Sequence, residues 1–138
     1  MFDFKFDWRP EMETKIEKID AQHKQIFRIG RDMEQLLVTR CIGVQDKQLL
    51  DIICDLREYV SYHFYEEAKL MEQANYSNLN EHIRQHNEFQ SYVQQINLPK
   101  LKQEPYNELK KIKEHVTDWI YQHMLMEDIA MANEIRNK

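Results

Sequence analysis

Five of the six histidines in this chain stand where a packed helix keeps its buried side chains. Ile16, Ile19, His23, Ile26, Gly30, Met33 and Leu37 alternate three and four apart, and a histidine fills one core slot of that stripe. Three later stripes place His63 with Glu67, His82 with His86, and His123 in the same way. Side chains four apart share a helix face, so His63–Glu67 and His82–His86 can each chelate one ion. Five buried imidazoles and a carboxylate without partners would be costly to desolvate. A bound metal supplies the compensation and makes its binding energy part of the folding energy. The pattern predicts a metal site inside a four-helix bundle.

Imidazole suits zinc, copper, iron and nickel alike, so ligand type does not choose the metal. Ligand number says more, because five histidines plus carboxylates exceed what one tetrahedral zinc takes. Two octahedral ions bridged by carboxylates would use them. No histidine has a glutamate three positions before it, which argues against the Glu-x-x-His sites of ferritin-like di-iron enzymes.

The elements that must position these residues are legible from the same periodicity. An arm over residues 1–12 alternates Phe2, Phe4, Phe6 and Trp8, which predicts an extended segment laying one aromatic face on the bundle. Helices are expected over about 13–39, 46–73, 78–97 and 105–135. Gly43 lies in the first connection, and Ser77 or Asn78 is placed to cap the third helix. Pro99 is read as stopping that helix and Pro105 as opening the fourth. Short connections between long amphipathic helices imply an all-α, up-down-up-down antiparallel bundle in one domain, 1–138.

A net charge of -5 disfavours nucleic acid, whose phosphates need a basic face. No run approaches the ~20 apolar residues of a membrane span. The acidic, aromatic start lacks the basic and apolar regions of a secretory signal, so the expected location is cytoplasmic. Cys41 and Cys54 are read as reduced thiols outside the metal set.

The set His23 after Asp20-Ala21-Gln22, His63-Phe64 with Glu67, His82-x-x-x-His86, and Trp119-x-x-x-His123 with Asp128 resembles the hemerythrins, in their bacterial single-domain form. The resemblance runs over essentially the whole chain, including the arm that carries Trp8. It implies a non-haem centre of two iron ions, hydroxo- or oxo-bridged. His82, His86 and His123 would hold one iron, His23 and His63 the other, with Glu67 and Asp128 bridging. It implies reversible O2 binding for storage, delivery or scavenging, with an electron donor or an O2-consuming protein as further partner. A di-iron redox enzyme reducing peroxide, O2 or nitric oxide is the alternative, and an oxygen or redox sensor another. Ile120, Met126, Phe27, Phe64 and Trp119 are the candidate O2 pocket, Met126 standing where the family often has a smaller aliphatic residue. One carry-over strains plain helix geometry. Asp128 is five residues after His123, ~140° around an α-helix, while Glu127 at four is better placed. For Asp128 to ligate, the fourth helix must widen locally as a π-turn. His115, at the stripe edge, is read as a partly exposed structural histidine or a proton relay. Tyr59, Tyr62 and Tyr65 flank the second helix's ligands, where a hydroxyl could meet an imidazole.

Overall fold

The apolar stripes lie on helices in the computed structural model, which describes residues 2–138 and has no strand among them. Met1, counted in the expected arm, lies outside the described residues. Helices α1 (Glu17–Val38), α2 (Asp46–Gln73), α3 (Leu79–Gln94), α4 (Leu98–Gln103) and α5 (Pro105–Gln122) follow in order, then a π-helical turn His123–Asp128 and α6 (Ile129–Arg136). α1 packs on α2 and α5, and α2 on α3. Met33, Ile53, Leu56, Val93 and Leu109 fill the bundle core between them.

The first helix starts at Glu17 instead of about 13, for a local reason. The Asp20 carboxylate accepts hydrogen bonds from the Thr14 and Lys15 amides and the Thr14 hydroxyl. Those bonds hold the lead-in out of the helix, with Lys15 left-handed at φ 66°. The third helix ends at Gln94 instead of 97, because Arg57 takes up the carbonyls of Val93, Gln94 and Ile96. Between the expected third and fourth helices stands α4. Asn97 caps it by accepting from the Lys100 amide at 3.0 Å, and Pro99 sits in the first turn, where no donor is needed. Neither Ser77 nor Asn78 caps α3 with its side chain; Ser77 donates instead to Glu134 and so ties α6 to the α2–α3 turn.

The arm reaches the bundle through one cradle. Gly30 leaves the space Phe6 occupies, since a Cβ there would clash with its ring. Phe6 meets Phe27 edge-on, and Trp8 does the same. Glu34, fully buried, accepts from the amides of Lys5 (2.6 Å) and Phe6 (3.1 Å). Glu34→Ala should therefore cost about 1–3 kcal/mol by orphaning these donors. The check is the urea midpoint, and an unchanged midpoint would show that the docked arm contributes nothing to folding.

Candidate metal centre

Four elements bring seven side chains to one buried point. α1 supplies His23, α2 His63 and Glu67, α3 His82 and His86, and the π-turn His123 and Asp128; all seven are buried. Their donor atoms fall into two sets. Glu67, His82, His86, His123 and Asp128 converge in one, and His23, His63, Glu67 and Asp128 in the other. The carboxylates belong to both. Oε1 of Glu67 lies 2.7 Å from His82 Nε2 and 3.1 Å from His86 Nε2, while its Oε2 lies 3.2 Å from His63 Nε2. Asp128 divides likewise, with Oδ1 3.0 Å from His82 and 3.1 Å from His123, and Oδ2 3.1 Å from His23.

Asp128 gets there because the helix widens. The Ile129 amide bonds the Met124 carbonyl five residues back, and the turn His123–Asp128 is π-helical. That extra residue per turn closes the ~140° gap that an α-helix leaves between positions five apart. Glu127, the rival on α-helical spacing, is only half-buried and belongs to neither donor set. The insertion also shifts everything after it. Met131 and Ala132, eight and nine residues after His123, are buried, while Ala130, at the α-helical distance of seven, is exposed.

The pocket expectations fare unevenly. Met126 is 66% exposed and lines nothing; Met124 points inward in its place. Phe27 is buried but packs against Phe6, Trp8 and Tyr121, away from the histidines. Phe64, Trp119 and Ile120 do face the site. With Ile26, Val60 and Met124 they wall a cavity of ≈ 10 Å³ beside His23, His63 and His123. That is about the room one water-sized molecule needs. His115 is exposed and stacks on Tyr92.

Two residues missed in the sequence hold the imidazoles. The Gln22 side-chain oxygen can only accept, so it takes the Nδ1 proton of His63 at 2.7 Å and leaves the Nε2 lone pair facing Glu67. Gln85 does the same for His123 Nδ1 at 2.8 Å. Carboxamides thus occupy the role weighed for the tyrosines. The local signal was slight, a glutamine beside one histidine and another beside a second.

Whether a cation fits can be judged from what the donors lack. His23 Nε2, Glu67 Oε2 and both Asp128 oxygens have neighbours at 3.0–3.7 Å but no hydrogen-bond partner among the described residues. His86 Nε2 and His123 Nε2 stand 3.0 Å apart, close enough to share one proton when no cation lies between them. The orphaned atoms belong to the two converging donor sets. Buried polar atoms need a partner, and nitrogen and carboxylate donors suit a divalent or trivalent metal. The charges agree. Burial opposes a proton on His23 and His82, yet Asp128 and Glu67 outweigh it and raise them to about 10 and about 9. Burial wins at His86, which falls to about 4. Burial also opposes charge on Glu67, but the surrounding histidines hold it well below the usual carboxylate range, and histidines hold Asp128 low too. Two buried carboxylates therefore stay anionic.

The chain is similar to known cation-binding proteins. The family model of the hemerythrin HHE cation binding domain matches residues 14–134. A bacteriohemerythrin of Clostridium acetobutylicum is 29% identical over 123 residues, covering 89% of this chain and 95% of that protein. One from Pseudomonas paraeruginosa is 27% identical over 131 residues, covering 94% and 81%. One from Campylobacter jejuni is 27% identical over 120 residues, covering 87% of each.

Proposed function

This chain belongs to the hemerythrin family, and from that premise we propose that it binds O2 reversibly at a non-haem di-iron centre, for storage, delivery or scavenging. The observation that carries the reading is the unequal division of donors. Five atoms converge on one side and four on the other, with each carboxylate lending one oxygen to each. His82, His86 and His123 would hold one iron, His23 and His63 the second, and Glu67 and Asp128 both. Two irons held there supply the redox electrons that O2 binding requires. The protein supplies the rest. The four-donor side lacks one ligand relative to its neighbour, and both of its histidines border the cavity. Ile26, Val60, Phe64 and Ile120 keep that cavity apolar, which excludes water and proton donors. Its size admits a very small molecule and nothing larger. Gln22 and Gln85 fix which nitrogen of His63 and His123 faces inward.

On this reading the protein is a binding protein, and uptake and release of O2 require no electron donor. Among the described residues no helix is long and apolar enough to cross a membrane. Cys41 and Cys54 are unpaired, which suits the reducing cytoplasm we assign to it. The test is iron quantitation with visible spectra of the anaerobically reduced protein, then in air, then after O2 removal. Two irons per chain and a band that appears with O2 and reverts on its removal are expected. Irreversible oxidation would shift the assignment to a redox enzyme or sensor, and absence of iron would overturn both.

A further inference from the structure

Two of the metal-site imidazoles are the inner end of a pile of aromatic rings that runs to the surface. Trp119 lies flat on His123, with centroids 4.3 Å apart and planes at 15°. Phe89 stacks on Trp119 at 4.3 Å and 16°. Phe64 joins the same group, 5.9 Å from Trp119 and stacked on His86 at 3.9 Å and 4°. Outward, Phe89 lies near-parallel to Tyr92 at 6.4 Å, and Tyr92 stacks on exposed His115 at 3.6 Å and 12°. Core packing alone does not call for near-parallel rings from a buried ligand to the surface; isolated aromatic pairs are as often edge-to-face.

We propose that Trp119 and Tyr92 form an escape route by which an oxidising equivalent leaves the buried centre when hydrogen peroxide attacks it. Indole and phenol are the aromatic side chains that give up an electron most readily, and they stand at the two ends of the Phe89 spacer. At the already oxidised centre peroxide draws two electrons, one after the other, through Trp119 and takes two protons from solvent, leaving as two waters. Each electron that leaves makes Trp119 an indole radical cation. Tyr92 returns one electron to Trp119 and loses its phenolic proton to water, becoming a neutral radical. Half-buried, its ring reaches solvent, where a thiolate gives back one electron and water the proton. Two thiyl radicals so formed join as a disulfide outside the protein. The route spares Met124, the thioether facing the cavity, from oxidation that only a repair enzyme reverses. Its role rests on the di-iron reading, but the relay between the two side chains does not.

The relay can be read in the full chain by pulse radiolysis, with the dibromide radical anion as oxidant. Trp8→Phe leaves Trp119 as the sole tryptophan. In that variant the tryptophanyl absorption should decay as a tyrosyl absorption rises, in a first-order step independent of protein concentration. Adding Tyr92→Phe should abolish the conversion, while adding Tyr62→Phe, an exposed tyrosine off the pile, should leave it. In a second arm, peroxide added to the oxidised iron-loaded protein should give a tyrosyl signal in electron paramagnetic resonance that Tyr92→Phe removes without changing iron content. A conversion or a radical indifferent to Tyr92 overturns the proposal. A chain that takes up no iron overturns the di-iron reading and the peroxide role with it, and the radiolysis result remains separately readable.

Discussion

Asp128→Asn should strip the metal from both halves of the centre, whereas Glu127→Gln should leave metal content unchanged. Asp128 places one oxygen against His82 and His123 and the other against His23, so it is the acid that spans the two donor sets from the π-turn. Asparagine keeps the size but loses the charge and turns one of the two oxygens into a donor. Loss of a group that merely hydrogen-bonds a ligand costs about 10–100-fold in metal affinity, so loss of a shared anionic ligand should exceed about 100-fold. Glu127 is half-buried and outside both sets, and its replacement removes no donor. Metal content after desalting, with chelator competition for the residual affinity, separates the two variants. If Glu127→Gln lost metal and Asp128→Asn kept it, the π-turn would have no part in the site.

The same turn marks the boundary of what the sequence discloses. Stripes such as Ile19, His23, Ile26 and Met33 are legible because burial repeats with the helical period, and the periodicity delivers His23, His63, Glu67, His82, His86 and His123 to the bundle interior. A π-turn breaks that period once, and nothing in His123-Met124-Leu125-Met126-Glu127-Asp128 announces it locally. Hence Met126 is expected at the pocket and stands outside, Met124 lines the cavity instead, and Met131 is buried where α-helical spacing from His123 would bury Ala130. Periodicity also cannot show which polar residue does a job at a distance. Glu34 reads as an ordinary helix glutamate until the arm's amides are found on it, and α4 is hidden behind a proline that opens a helix instead of closing one. In each case the missing term is a contact with another part of the chain, which spacing along one helix does not encode.

Gln22→Leu should weaken metal binding by about 10–100-fold, with most of that loss recovered in Gln22→Glu. Gln22 is buried, and its oxygen is the acceptor for the His63 Nδ1 proton. Leucine fills the volume but leaves that proton without a partner, which also costs the metal-free protein about 1–3 kcal/mol. The imidazole is then free to turn or to change tautomer, and its Nε2 lone pair no longer stays on the donor set. Glutamate restores the acceptor and adds a negative charge, which makes the imidazole a stronger donor and favours a more highly charged metal. The oxidised state should gain, so Gln22→Glu should bind metal well and autoxidise faster than the native protein. Chelator competition reads the first effect and the rate of spectral change in air the second. Equal affinity for the leucine and native proteins would leave Gln22 a packing residue. Gln85 supplies the internal comparison: it serves His123 in the same way but is half-buried, so water can stand in for its oxygen. Gln85→Leu should accordingly lose less affinity than Gln22→Leu, because a carboxamide is indispensable only where water cannot reach.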